Sequence, residues 1–181
     1  SGHNWFHLNT INIDHSRTEA RRLDLVHYSF EQNVVAPINV LADACALPFP
    51  DRAFDFVVAS HVLEHIWDPI AALTEWARVA RRLCVIVPIP WMCSDNVRAP
   101  DKWRTAHCVL RPDGHGCPVA FNDLVARAEQ PRPSNFTYDQ HVCCWEPTAF
   151  VELFSYLGMR VLEVESPDTK GGNGTLVVAD A

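Results

Sequence analysis

Two short apolar segments separated by a helix-forming stretch constrain the fold of this chain more than any other feature. The segments are FDFVVAS (54–60) and LCVIVPI (83–89), and both are rich in apolar residues with little polar alternation. Strands of this kind are buried on both faces, as in a parallel sheet. INVLADA (38–44) has the same character, and NTINID (9–14) is a weaker strand that ends on an acidic residue. The sequence therefore predicts an α/β fold around a mostly parallel sheet.

The stretch between the first two segments carries clear helix signals. Asp68 is a favourable N-cap, and Pro69 suits the first helical position. An apolar stripe follows at helical spacing, formed by Leu73, Trp76, Ala77 and Ala80. Three arginines would then place positive charge near the helix C-terminus, where the dipole favours it: Arg78, Arg81 and Arg82. The pattern predicts a βαβ unit.

The last forty residues predict an antiparallel pair of strands. A second helix is expected from Pro147 to Gly158, with aromatic residues on one face. RVLEVES (160–166) alternates in the manner of a strand, and TLVVADA closes the chain after the turn-rich segment SPDTKGGNG. Two strands joined by a short polar loop form a hairpin-like pair, which we expect at one edge of the sheet.

The proline-rich segment from about residue 91 to residue 140 has a different character. Predicted strands of one sheet lie on both sides of it, so it does not read as a linker between domains. We interpret it as an insertion or lid over the carboxyl edge of the sheet, where open α/β folds bind ligands. The chain (1–181) is therefore predicted to form a single domain.

Composition argues against several classes of partner. The formal net charge is −7, so no broad basic face is expected for nucleic acid. No apolar run approaches the roughly 18 residues that a membrane span needs. Seven cysteines without a framework spacing fit a reducing cytoplasm better than a disulfide scaffold. Cys45 and Cys84 fall in apolar runs, where we expect them to pack as small hydrophobic residues.

The segment SHVLEHIWDP (60–69) contains the pattern H-x-x-E-H, which binds zinc in some proteases. That chemistry requires both histidines to project the same way from a helix. Here His61 directly follows a predicted strand, and the convincing helix begins only at Asp68. We therefore expect His61 and His65 in the turn between strand and helix, with Glu64 and His65 bonded to loop backbone.

Histidine and cysteine also occur close together in and after the predicted insertion. The pairs and triplet are His107–Cys108, His115–Cys117 and His141–Cys143–Cys144. They are soft ligands in one region, but their separations are irregular and no C-x-x-C knuckle is present. We predict no metal site.

The run LADACALPFPDRAFDFVVASHVLEHIWDPIAALTEWARVAR closely resembles class I S-adenosylmethionine-dependent methyltransferases. It is most similar to a small-molecule group, methyltransferase-11-like, in which D-x-x-x-L-P-F-x-D-x-x-F-D-x-V precedes V-L-E-H and a D-P helix. The likeness is strong over residues 38–90 and looser from DQHVCCW to the C-terminal strands. It implies a Rossmann-like sheet and S-adenosylmethionine as the cofactor.

The resemblance also implies roles for individual residues. Asp43 would accept the adenine amino group and Ala44 would offer its backbone N–H to the ring. Asp14, next to His15, would bind the ribose hydroxyls. Ser60 and His61 would line the methionine end, and Gly2 would be the tail of the glycine-rich turn. Taken alone, either aspartate is equally well interpreted as a turn cap.

One part of the family pattern is not present in the sequence. The glycine-rich G-x-G-x-G turn and the central strand before it are lacking; Ser1 and Gly2 are either the end of that turn or a cloning remnant. Unpaired buried backbone groups cost about 1–3 kcal/mol each, so several of them could exceed the whole net stability of a domain. We expect a rearranged sheet, a strand from another chain as in a homodimer with strand exchange, or a fragment of a longer parent.

Methyl transfer to a hydroxyl needs alignment of the acceptor and a base for its proton. The candidate bases are His61, His65 and His141, since histidine titrates near neutral pH. A stacking wall for a sugar or aromatic acceptor is expected from Trp91, Trp103 and Trp145, which are as often core residues. We expect a small-molecule or glycan-precursor acceptor, by analogy with surface-polysaccharide enzymes. The alternative is a degenerate, non-catalytic methyltransferase fold that binds a partner.

Overall fold

Six strands and two helices make up the part of the chain that the computed structural model describes, which is residues 10–15, 38–89, 92, 131–132, 134, 143 and 145–181. The strands are β1 Ile13–Asp14, β2 Val40–Leu41, β3 Phe54–Ser60, β4 Ala80–Pro88, β5 Arg160–Glu165 and β6 Gly174–Asp180. The helices are α1 Pro69–Val79 and α2 Pro147–Tyr156. A 3₁₀ turn, Leu63–His65, precedes α1.

The predicted βαβ unit is confirmed as β3, α1 and β4. β3 and β4 pair in parallel, from Phe54 opposite Ala80 to Ser60 opposite Ile86. The Asp68 side chain caps α1 by accepting a hydrogen bond of 2.9 Å from the Ala71 N–H. The face of α1 that packs on the sheet is apolar, and its buried residues are Pro69, Ala72, Leu73, Trp76 and Val79. Local capping and periodicity therefore determine this unit.

α1 ends earlier than its pattern predicted. Ala80 already has extended backbone angles, so Arg81 and Arg82 belong to β4 and not to the last helical turn. The Arg82 Nε donates to Asp180 Oδ1 across the sheet at 2.8 Å, and its guanidinium lies over the Phe56 ring. Cross-strand pairing thus overrides the charge preference of the helix end.

The C-terminal elements confirm the predicted antiparallel pair. β6 runs antiparallel to β5 and also to β4, and the order in the four-stranded sheet is β3-β4-β6-β5. α2 is followed by Gly158, whose φ of 75° is the left-handed conformation that ends helices. The sheet is therefore partly parallel, with antiparallel strands towards the β5 edge.

The core lies between this sheet and the two helices. One cluster of buried side chains joins α1, β4, α2 and β6, including Leu73, Val85, Phe150 and Val177. β4 is buried at four successive residues, from Val85 to Pro88, which confirms a strand covered on both faces. None of the helices in the described segments is long and apolar enough to cross a membrane.

β2 and β3 are less buried than their sequences predicted. β1 and β2 form a separate two-stranded parallel sheet, and within the described residues no strand pairs with the outer edge of β3. Asp55 and Phe56 of β3 are consequently exposed, and Leu41 of β2 is exposed as well. The described strands thus form two sheets instead of one continuous sheet. Residues 1–9, on which the expected loss of the central strand depends, lie outside the described segments.

Candidate functional site

Two predicted ligand-binding aspartates follow neighbouring parallel strands. Asp14 ends β1 and pairs in register with Leu41 of β2. The Ala42 N–H donates to the Asp14 carbonyl at 3.1 Å, and Asp43 follows directly. Because β1 and β2 are parallel, both carboxyl groups lie at the carboxyl edge of this sheet, as the sequence analysis required. His15 adjoins this edge, with its Nδ1 3.1 Å from Asp14 Oδ1.

Asp43 sits in a tight turn and uses one carboxylate oxygen to hold it. Asp43 Oδ1 accepts from the Cys45 N–H at 2.8 Å, and the Ala46 N–H donates to the Asp43 carbonyl at 3.0 Å. Asp43 does cap a turn, then, as the simpler interpretation holds. The residue is nevertheless exposed, and no described residue donates to Oδ2. That oxygen can accept a hydrogen bond from a ligand.

α1 fixes the segment that follows Asp43, a function that the sequence analysis missed. The Trp76 indole donates to the Ala44 carbonyl at 3.0 Å, and Glu75 Oε1 accepts from the Leu47 N–H at 2.7 Å. Arg78 donates to Glu75 and to the Phe49 carbonyl. The hydrogen bond from Arg78 holds the pKa of Glu75 below its usual range. An E-x-x-R pair at helical spacing is a sequence signal for such a clamp.

Replacing Trp76 with phenylalanine tests this clamp. Trp76 is buried, and the substitution removes the donor to Ala44 while keeping an aromatic ring. We expect the free energy of unfolding to fall by about 1–3 kcal/mol, because the carbonyl loses its partner and a small void remains. Urea unfolding measures it, with the exposed Leu162→Ala as control. A loss below about 0.5 kcal/mol, the range of neutral surface changes, would contradict the role.

A cavity of about 220 Å³ lies between the turn that follows β2 and the segment that leads into α1. Its lining consists of Asp43, Cys45, Ile66, Trp67, Asp68 and Arg132. The cavity has apolar walls, an acceptor at one side and a guanidinium, which suits a flat heterocycle carrying an amino group. It is smaller than the pockets of about 300–1,000 Å³ that hold whole drug-sized ligands.

Cys45 lies in the turn beside this cavity and not in a strand. Burial, together with the negative charges of Asp43 and Asp68, raises the pKa of Cys45 to about 12. Its Sγ lies 3.6 Å from the Asp68 carbonyl. The thiol therefore stays protonated at physiological pH and is unsuited to act as a nucleophile. Cys84, in β4, is half-buried, and burial raises its pKa too.

The H-x-x-E-H pattern folds into the turn between β3 and α1, as predicted. Glu64 is fully buried, and its Oε1 lies 3.4 Å from His61 Nδ1 and 3.8 Å from His65 Nε2. The Glu64 carboxylate thus faces both imidazoles, a contact that the expected bonding of Glu64 and His65 to loop backbone did not include. The described residues contain no group of side chains suited to hold a metal ion.

His61 has an unusual backbone conformation. Its φ is 53°, in the left-handed region, while its N–H continues the β3–β4 ladder by donating to the Ile86 carbonyl at 2.9 Å. For a residue other than glycine this conformation stores strain of about 1–3 kcal/mol, and such strain concentrates at functional sites. The chain thus turns sharply at the carboxyl end of β3, immediately after Ser60.

A lysine from the other end of the chain reaches the same place. Lys170 Nζ donates to Ser60 Oγ at 2.7 Å, although the two residues are 110 positions apart. Lys170 belongs to the loop between β5 and β6, which the buried Asp168 organises. From the sequence we had predicted this loop only as a connection between strands. Its one signal was a lysine in a glycine-rich turn.

The remaining predicted residues have mixed outcomes. Trp145 is buried against Phe150, with ring centroids 5.5 Å apart, so it is a core residue and not part of a stacking wall. Gly2, Trp91, Trp103 and His141 lie outside the described residues, as do the insertion's other metal-ligand candidates apart from Cys143. Cys143 is buried, and its N–H donates to the Glu64 carbonyl at 3.2 Å.

Comparison with known proteins points to one family. The family model for a methyltransferase domain matches residues 5–87. An uncharacterized methyltransferase of Schizosaccharomyces pombe is 54% identical over 35 residues, which cover 19% of this chain and 13% of that protein's length. A crystal structure of an S-adenosylmethionine-dependent methyltransferase from Methanosarcina mazei has the same fold, with a TM-score of 0.52 and 16% identity over 93% of this chain and 79% of that one. A methyltransferase structure from Aquifex aeolicus is less similar, with a TM-score of 0.45 and 15% identity over 92% of this chain and 65% of that one.

Proposed function

We propose that this chain is a class I S-adenosylmethionine-dependent methyltransferase, which transfers a methyl group from S-adenosylmethionine to a small molecule. S-adenosylmethionine is the cofactor of this family. The observation that carries the proposal is the cavity between Asp43, which follows β2, and the segment Ile66–Asp68, which leads into α1. Open α/β sheets bind nucleotides at the carboxyl ends of their strands.

The residues around the cavity are suited to the nucleoside. Ile66 and Trp67 are apolar walls for the adenine ring, and Asp43 Oδ2 would accept a hydrogen bond from its amino group. Ala44 would present its N–H to the ring. The hydrogen bond from Trp76 to the Ala44 carbonyl would hold the backbone of this residue in place. Asp14, with His15 beside it, would hold the ribose hydroxyls at the end of β1.

The methionine end would lie against Ser60 and His61, with Gly2 contributing from the start of the chain. When bound, the cofactor supplies a methyl group on a sulfonium, which is transferred by in-line displacement. The tasks left to the protein are to align the acceptor and to remove its proton. His61 is our first candidate for the base, because the buried Glu64 carboxylate lies beside its Nδ1 and would stabilise the imidazolium that forms. His65 and His141 are the other candidates.

For the acceptor we propose a small molecule or a glycan precursor, with a place in surface-polysaccharide biosynthesis in the cytoplasm. The three cysteines described, Cys45, Cys84 and Cys143, are free thiols, which supports a reducing compartment. The overall charge of −7 speaks against a nucleic-acid acceptor.

A non-catalytic binding role is the second candidate, and the outer edge of β3 favours it. Phe56 on this strand is 55% exposed, and no described strand covers the edge. An open edge pairs readily with another chain, so a homodimer with strand exchange would complete the sheet. In that case the fold would serve assembly instead of methyl transfer.

Calorimetric titration with S-adenosylhomocysteine tests the function directly. We expect saturable binding by this chain of 181 residues, with a stoichiometry of one. Adenosine should compete, since the proposed cavity holds the base. Absence of binding would refute the enzyme and leave the binding protein as the function.

A further inference from the structure

The loop between β5 and β6 places a lysine at the carboxyl end of β3. Lys170 Nζ donates to Ser60 Oγ at 2.7 Å, and both residues are half-buried. Ser60 directly precedes His61, the proposed base. Lys170 is one of only two lysines in the sequence, whose formal charge is −7.

Asp168 makes the loop rigid enough to aim this lysine. Its Oδ1 accepts from the N–H groups of Lys170 and Gly171 at 3.0 and 2.8 Å, and its Oδ2 accepts from the Gly174 N–H at 2.6 Å. Burial opposes ionisation of Asp168, but these backbone donors prevail and its pKa is lowered. The carboxylate is thus charged at neutral pH and already saturated by the loop.

Glycine is required where the loop returns to the sheet. A Cβ at Gly174 would lie 2.7 Å from Ile86 Cγ2 and 2.9 Å from the Val87 carbonyl oxygen, both closer than van der Waals contact. The loop can therefore return to the sheet in close contact with the end of β4. This close passage is what brings Lys170 within reach of Ser60.

The surroundings of Lys170 favour an anionic ligand. Burial lowers the pKa of Lys170 despite the opposing charge of Asp168, so the ammonium is incompletely solvated. An oxyanion beside a partly desolvated ammonium forms a charge-assisted hydrogen bond that offsets this cost. The Ser60 hydroxyl accepts from Lys170, so its own proton can be donated to the same oxyanion.

We propose that Lys170 and Ser60 form a subsite for a carboxylate or phosphate group on the methyl acceptor, beside His61. This inference rests on the proposed function, because only a methyltransferase has a methyl acceptor. It places the anion at the end of β3, beside the methionine end of the cofactor, whereas the nucleoside would lie at the Asp43 cavity. The acceptor class is accordingly an acidic small molecule, such as a sugar phosphate or a carboxylic acid.

Lysine acylation measured by mass spectrometry tests the subsite, with Lys102 as the reference lysine in the same sample. Inorganic phosphate and acetate are added separately against chloride at equal ionic strength. We expect at least one of them to slow acylation of Lys170 five-fold or more relative to Lys102, and Ser60→Ala to weaken that protection. Protection by phosphate alone assigns a phosphate, and protection by acetate alone assigns a carboxylate. If phosphate and acetate protect Lys170 from acylation no more than chloride does, the subsite is overturned.

A second measurement separates this subsite from cofactor binding. In Lys170→Met, affinity for S-adenosylhomocysteine should stay within two-fold of the unaltered protein, as in the charge control Arg81→Met at the other end of β4. Loss of that affinity in Lys170→Met alone, with the melting temperature unchanged, would assign Lys170 to the cofactor and overturn the acceptor subsite. Anion protection in a protein that does not bind S-adenosylhomocysteine would refute the proposed function but retain the anion site.

Discussion

Replacing Asp14 with alanine is expected to weaken S-adenosylhomocysteine binding by about 100-fold. Asp14 ends β1 at the carboxyl edge, and its carboxylate is proposed to hold both ribose hydroxyls. Charge-assisted hydrogen bonds are worth about 1.5–3 kcal/mol each, and about 1.4 kcal/mol corresponds to a ten-fold change in affinity. Water would partly replace the lost hydrogen bonds, so we expect the affinity for S-adenosylhomocysteine to fall by about 100-fold. Calorimetric titration measures the effect on protein whose folding has been checked by circular dichroism.

Two further variants test whether the loss of affinity is specific to Asp14. Asp43→Asn keeps an oxygen that can accept from the Cys45 N–H, but it removes the charge facing the cavity. We expect a loss of about ten-fold, because a single hydrogen bond is weakened. Asp55→Asn removes the same charge from an exposed position near the start of β3 and should leave affinity unchanged. Equal losses for Asp14→Ala and Asp55→Asn would indicate a general effect of charge and contradict the ribose role.

Replacing Glu64 with alanine is expected to lower the free energy of unfolding by about 3 kcal/mol. The side chain is fully buried, and its carboxylate faces two imidazoles in the turn before α1. Alanine leaves a void in the core and removes the carboxylate that faces His61 and His65. Its backbone carbonyl, which accepts from Cys143, is retained, so the loss reports the side chain. Urea unfolding at neutral pH is the measurement.

Matched variants distinguish the charge of Glu64 from its volume. Glu64→Gln fills nearly the same space without the charge, and we expect a loss smaller than that of alanine. Glu152→Ala, at an exposed position of α2, should change stability by no more than about 0.5 kcal/mol. If Glu64→Ala were as mild as Glu152→Ala, the carboxylate would not organise the turn, and His61 would lose the basis for its assignment as base.

The elements that sequence reasoning predicted well are those specified by neighbouring residues. Asp68 and Pro69 start α1 through capping and a fixed φ, which are local effects. Gly158 ends the helical segment of α2 for the same kind of reason. The end of α1 was predicted too late, because the pairing of Arg82 with Asp180 depends on a strand almost one hundred residues away. Tertiary contacts outweigh helix propensity at such a boundary.

Only those residues of the candidate site that belong to a recognisable sequence motif could be predicted. Asp14 and Asp43 could be inferred because strand ends meet at one edge in a parallel sheet. Lys170 and Asp168 could not, since nothing in the periodicity of a polar loop indicates which strand it will cover. Burial of Glu64 against two imidazoles was likewise missed, because a charged residue in a turn is ordinarily solvated. These contacts result from packing between elements that are distant in sequence.

A crystal structure of the protein with S-adenosylhomocysteine bound would locate the nucleoside most directly. We predict adenine in the cavity beside Asp43, Ile66 and Trp67, and ribose hydroxyls within hydrogen-bond distance of Asp14. The homocysteine would then extend towards Ser60 and His61. A nucleoside bound elsewhere on the chain, or ribose hydroxyls beyond about 3.5 Å from the Asp14 carboxylate, would contradict this prediction.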